Sequence, residues 1–236
     1  MRALRATIIL IGVLGATSVE CPAQDHPYSV ALFGSFTTSS KLFHHPHDAD
    51  EILRSQFLPL DNILSAGIDI RRTLEGLRLQ VGLSAEYLSK TETIELPAAQ
   101  GKKIPITDGF TAIPVELSGY FLVPVGSQNL HVYMGGGGAL YLGDRQYEYA
   151  GEQAETIEHG VGYGIHIMSG IEYAMESRIS VRSELKFRDI QFETTSDFKR
   201  DAAIYHGSTV ALDQSAFSSR ISVDGMTFNI GLVYHF

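Results

Sequence analysis

The sequence predicts an all-β fold: a closed, antiparallel, eight-stranded transmembrane β-barrel with short turns on one side and four long loops on the other. Three observations carry this expectation. Segments of about ten residues or more alternate apolar and polar side chains, the connections between them alternate long and short, and the chain stops within such a segment on the aromatic Phe236. A period of two is what a strand shows when one face meets an apolar medium and the other does not. In lipid every backbone N–H and C=O must be satisfied, and only a closed barrel leaves no strand edge.

At the N-terminus, Arg2 and Arg5 precede an apolar run from Ala6 to Ala16, and Cys21-Pro22-Ala23 stands before Gln24. That order predicts a secretory signal peptide over residues 1–23, cut after Ala23, with one barrel domain over 24–236. The apolar run falls short of the roughly 20 residues that a spanning helix needs, and no later stretch comes near that length. Cys21 is the only cysteine and precedes the cut, so the exported chain is expected to hold no disulfide. Acylation of Cys21 is the alternative, and the carboxylate of Glu20 stands against it, since lipoprotein signals carry a small neutral residue there. The net charge is −9, and one unit more negative once Arg2, Arg5 and Glu20 are removed, which argues against nucleic acid as a partner.

Taken in order, the expected strands are Tyr28 to Phe36, Asn62 to Arg71, Leu77 to Leu88, Thr111 to Val123, Leu130 to Leu142, Gly160 to Tyr173, Arg178 to Phe192 and Val223 to Phe236. Their lengths suit tilted membrane strands better than the short strands of a soluble sheet. Long polar segments lie at Thr37 to Asp61, Ser89 to Phe110, Gly143 to His159 and Glu193 to Ser222, and these are expected as extracellular loops. Arg72 to Gly76, Pro124 to Asn129 and Ala174 to Ser177 are short and are expected as periplasmic turns, which puts both termini on the periplasmic side. A hairpin at Ala202 to Leu212 inside the longest loop would raise the count to ten.

The third strand places Leu77, Leu79, Val81, Leu83, Ala85 and Tyr87 opposite Arg78, Gln80, Gly82, Ser84 and Glu86. The seventh repeats the arrangement, with Ile179, Val181, Leu185 and Phe187 opposite Ser180, Arg182, Glu184, Lys186 and Arg188. Arg or Lys at the bilayer midplane costs about 2 to 4 kcal/mol, so these charges belong in the lumen. A secreted lipocalin-like barrel or β-sandwich gives the same pattern with the faces inverted. Strand length, the alternation of connections and the terminal aromatic favour the membrane form. Tyr28, Tyr87, Tyr173, Tyr234 and Phe236 fall near strand ends, as an interfacial girdle requires in a chain without Trp.

The segments Ile113 to Val125, His131 to Gly143 and Phe228 to Phe236 resemble those of the small outer-membrane β-barrel proteins, the OmpA-like, OmpX-like and OmpW-like eight-stranded barrels. The resemblance spans essentially the whole chain after residue 23. It implies an integral protein of the bacterial outer membrane, in contact with lipid including lipopolysaccharide, with no cofactor. In that family the last strand is a recognition signal for the barrel-assembly machinery, and Leu232, Tyr234 and Phe236 occupy its fifth-last, third-last and final positions. The family often has Gly where Leu232 stands; here the glycine is Gly231.

Inside the expected barrel, Asp69, Glu86, Glu116, Glu172 and Glu184 face Arg71, Arg78, Arg182, Lys186 and Arg188. An eight-stranded lumen is just wide enough to be filled by side chains. Unpaired buried charge is strongly destabilising, so these groups are expected to pair into a plug. The same groups lining a narrow solute path, or an OmpW-like passage for apolar compounds, form the alternative; a charged inner face stands against the apolar passage.

Gly135 to Gly138 lack the strand, turn, helix and Lys of a phosphate loop, and are expected to relieve crowding in the wall. His44, His45, His47 and Asp48 bring three imidazoles and a carboxylate within five residues, a donor set that suits zinc, copper or nickel, although a solvated polar loop is the favoured account, since composition alone is a weak warrant for a metal site. His206-Gly207-Ser208 has the spacing of the base and nucleophile of lipid A deacylases, but it sits in a loop without their flanking pattern. The expectation is therefore a non-catalytic barrel with a structural or surface-interaction role, in membrane integrity, adhesion or recognition of an extracellular ligand through its loops. A narrow pore and a lipid A-modifying enzyme are the alternatives.

Overall fold

The structure, a computed structural model, describes residues 26–74, 76–97, 103–124, 127, 129–212 and 215–236. The signal peptide expected over 1–23 lies outside the described residues. Eight strands form the wall: β1 (Tyr28–Thr37), β2 (Ile63–Leu74), β3 (Leu79–Pro97), β4 (Lys103–Val123), β5 (Leu130–Tyr149), β6 (Gly160–Ala174), β7 (Ile179–Asp197) and β8 (Met226–His235). Each pairs antiparallel with its neighbour in the chain. The ring closes where β8 pairs with β1, from Ser29 opposite His235 to Thr37 opposite Thr227. Two backbone hydrogen bonds finish the seam, Tyr28 N–H to Phe236 O at 3.2 Å and Phe236 N–H to Tyr28 O at 2.9 Å.

The outer surface shows which medium surrounds the wall. Leu32 is 68% exposed, Ile165 71% and Leu117 65%, and such side chains continue around every strand. Arg71, Arg182, Glu184, Lys186 and Arg188 are meanwhile buried on the inner face. A water-soluble barrel would bury the apolar face and wet the charged one, so this wall is built for lipid. The apolar belt ends toward the long loops at Ile113 and Leu142, paired across β4 and β5, beyond which Thr111 pairs with Asp144. At the opposite end Tyr28 stacks on Phe236 with ring centroids 5.9 Å apart, and Tyr234 adjoins at 6.4 Å, forming part of an interfacial girdle.

The wall rises further above the belt than the alternation of apolar residues predicts. The described residues of Ser89 to Phe110, expected as a loop, are strand: β3 and β4 stay in register from Leu88 opposite Ala112 to Pro97 opposite Lys103. Outside lipid neither face needs to be apolar, so the alternation fades there. Threonines take over, and Thr93 and Thr107 hydrogen-bond across the pair at 3.0 Å. β5 likewise runs to Tyr149 and β7 to Asp197.

The segment Glu193 to Ser222 is also more than a loop. The strand Phe217–Val223 pairs with β7 from Ile190 opposite Val223 to Ser196 opposite Phe217, and so continues the line of β8. Ala202–Tyr205 and Ser208–Ala211 form a separate two-stranded hairpin outside the ring, so the wall has eight strands. His206 (φ 47°) and Gly207 (φ 74°) make its turn, where two consecutive left-handed residues match the twist of a tight hairpin. In the first segment, Lys41–Phe43 pairs with Phe217–Val223, and Phe57–Pro59 pairs with Lys41–Phe43. Between them Asp50 caps a five-residue helix, Glu51–Ser55, by accepting from the Ile52 N–H at 2.9 Å.

Candidate functional site: the filled lumen

Inward positions on β7 give the order of the layers: Arg182, Glu184, Lys186 and Arg188, then Ile190 and Phe192, then Thr194 and Ser196. The first group faces carboxylates from strands across the barrel. Asp69 of β2 accepts from Arg71 Nε at 2.7 Å and from Arg182 Nη1 at 2.8 Å. Arg182 also holds Glu172 of β6 through Nη2 at 2.8 Å. Arg71 donates to Glu184, whose carboxylate receives Tyr133 OH at 2.6 Å and the Asn229 amide at 3.1 Å. Nearer the loops, Lys186 meets Glu116 of β4 at 2.5 Å and Arg188 meets Glu86 of β3 at 2.8 Å.

Aromatic side chains and glycines complete this layer. The Arg71 guanidinium lies 3.8 Å from the centroid of the Tyr120 ring, and Tyr120 packs edge-on against Tyr133 at 5.6 Å. Gly137 sits between Ser118 of β4 and His166 of β6, its register partners on either side. Having no side chain there lets Ser118 Oγ and His166 Nε2 meet at 2.8 Å across the intervening strand. A Cβ on Gly137 would overlap the carbonyl of Leu117. The glycine run thus serves packing, as its lack of phosphate-loop features predicts.

Above the charges lies an apolar layer. Leu42 and Leu60 from the first segment are wholly buried among Leu88, Phe110, Tyr141 and Phe192, with the Phe110 and Phe192 rings edge-on at 6.2 Å. Above that, beyond the lipid belt, Arg145 binds Asp108 through Nε at 2.9 Å and Nη2 at 2.7 Å. His44 Nε2 meets the same carboxylate at 2.8 Å and so ties the first segment to the wall. Burial acts to raise the Asp108 pKa, but the hydrogen bonds and charge of His44 and Arg145 outweigh it and hold the carboxyl below its ordinary value.

Side chains consequently fill the lumen at these levels. A cavity of about 10 Å³ remains among Asp69, Arg71, Arg182, Glu184 and Asn229, the volume of a single water. A larger vestibule of about 570 Å³ opens at the end where the termini and short turns lie.

The expected network residues divide nine to one. Asp69, Arg71, Glu86, Glu116, Glu172, Arg182, Glu184, Lys186 and Arg188 come together in the lumen. Arg78 does not: it lies exposed in the turn before β3, because the strand starts at Leu79 and the inward face begins with Gln80. The histidine-rich segment does not converge either. His44 engages Asp108 and His47 engages Glu193 at 3.0 Å, and among the described residues no group of three or more metal-ligating side chains forms. His206 stands at the tip of the outer hairpin. Leu232, Tyr234 and Phe236 face outward on β8 and at its end. Sequence reading missed Tyr120, Tyr133, His166 and Asn229 as lumen residues. Parity could have found them, since Tyr120 stands four residues after Glu116 on the same inward face.

A closed antiparallel ring, an apolar outer belt and a packed ionic interior define the class: the fold of the small eight-stranded outer-membrane β-barrels. No protein-family model and no curated protein matches the chain. Among solved structures it is similar to the outer membrane protein OprG from Pseudomonas aeruginosa, with a TM-score of 0.59 at 14% identity over 89% of this chain and 95% of that one. It is also similar to Neisserial surface protein A (TM-score 0.47, 10% identity, 89% and 97% covered) and to the attachment invasion locus protein Ail of Yersinia pestis (0.43, 10%, 89% and 99%).

Proposed function

We propose that this protein is a plugged, non-conducting barrel of the bacterial outer membrane, with a structural or surface-interaction role carried by its loop end. The observation that supports this reading most is the filled lumen, where an ionic layer and an apolar layer lie in series and a cavity within the ionic layer is about large enough for one water. Either layer alone opposes ion flow: the first spends its charges on internal pairs, and the second has no group to replace an ion's hydration shell. The belt takes outer-membrane lipid, and lipopolysaccharide surrounds the tall rim formed by β3, β4, β5 and β7. That rim is the surface presented to an external partner, and a catalytic role is not part of this reading, because His206 serves a hairpin turn.

The protein purified from membranes and inserted in a planar bilayer is expected to give no discrete conductance steps at voltages that open ordinary porins. Steady, reproducible steps would make the lumen a path and replace this reading with transport.

A further inference from the structure

The vestibule at the turn end is a second chemical environment, separate from the plug. It is ringed by His26, Thr73, Arg78, His131, Ser180 and His235, and its inner end meets Glu172 and Tyr133 of the ionic layer. Glu172 is the one carboxylate among the described lining residues, and it is already engaged. Arg182 donates to its Oε2 at 2.9 Å through Nε and 2.8 Å through Nη2, and His235 Nε2 lies 2.9 Å from its Oε1. By contrast, among the described residues no hydrogen bond or ion pair engages the side chains of His26, Arg78 or His131. These three groups, all able to donate, open onto one cavity in a chain whose net charge is −9.

Their backbones are fixed. Thr73 N–H donates to Pro27 O at 2.8 Å and holds the segment carrying His26 against β2. Leu122 N–H donates to Arg78 O at 2.9 Å, and His131 pairs with Glu172 in the wall. A volume of about 570 Å³ suits a small ligand. A guanidinium fork with surrounding imidazole and hydroxyl donors is the donor set that a phosphate takes up most favourably.

We propose that this vestibule binds a phosphate group, of a free solute or of a lipid headgroup, entering from the side of the short turns. Arg78 would grip two of its oxygens while His26 and His131 donate from the facing walls. Glu172, saturated by Arg182 and His235, would not repel it strongly.

The test is side-chain imidazole NMR on the full folded protein in dodecyl maltoside, which carries no phosphate, titrated with inorganic phosphate or with dihexanoyl phosphatidylglycerol. Saturable displacement of the His26 and His131 signals by inorganic phosphate assigns a free-solute site; displacement by the phospholipid alone assigns a headgroup site. Both responses, read at His26, should weaken by roughly tenfold in R78M and in H131A, which remove donors without touching the ionic layer, and stay unchanged in R54Q at the loop end. Absence of a saturable response to either probe, or responses in both variants equal to those of the parent protein, would overturn the proposal.

Discussion

Lys186 and Glu116 form an ion pair at the centre of the lumen's ionic layer. Both are buried, at 3% and 1% side-chain exposure, and their 2.5 Å contact removes what would otherwise be isolated charges in the lumen. Lys186→Met is therefore expected to lower barrel stability by about 3 to 5 kcal/mol, and Lys186→Met with Glu116→Gln to recover most of that loss. Urea unfolding in lipid vesicles, followed by heat-modifiable gel mobility, measures both; a single variant as stable as the parent would show that Glu116 finds another cation, with Arg188 the nearest candidate. Residue identity was legible here because charges recur at every second position of the seventh strand. Arg78 misled because the same parity was carried one step past the strand's start, into a turn where alternation has no meaning.

Between elements, the tether of the first segment to the wall depends on a carboxylate outside the lipid belt. The Asp108 pKa is depressed in the folded protein, so its contribution is complete above the ordinary carboxylate value of about 3.9 and is lost as pH falls through the lower folded value. Proteolysis of the first segment is thus expected to accelerate as pH drops below about 4, and Asp108→Asn should be cut readily at neutral pH. An unchanged cleavage rate from pH 7 to 3 would mean that Leu42 and Leu60 hold the segment without the carboxylate. Strand existence and facing were readable from alternation within the belt. Above it, Ser89 to Phe110 reads as a loop because strands paired in water need no apolar face, and cross-strand threonine contacts leave a weaker trace in sequence. The course of the first segment is equally hidden, since Leu42 gains its burial from partners on β7 and beyond.

For the molecule as a whole, closure sets the limits. β8 must find β1, and the Tyr28 to Phe236 bonds lie at the last step of that seam. If the outward-facing Leu232, Tyr234 and Phe236 also form the assembly signal that the resemblance implies, Phe236→Ala should reduce assembled barrel in cells several-fold while the purified chain still folds in micelles. Equal reduction in both settings would assign Phe236 to the seam alone.

The sequence by itself determined the all-β class and the two faces of the wall, because a strand's period of two is a local consequence of backbone geometry and the contrast between lipid and lumen imposes it on every strand; the choice of eight strands over ten came from the hairpin's place outside the ring. Only the tertiary structure decided which charges meet. Asp69 and Arg182 are 113 residues apart, and their contact depends on the stagger of strands around a closed ring. That stagger is a property of the whole closed wall, which no short stretch of sequence contains. The same closure brings the first segment over the lumen and gathers Arg78, His26 and His131 at one mouth.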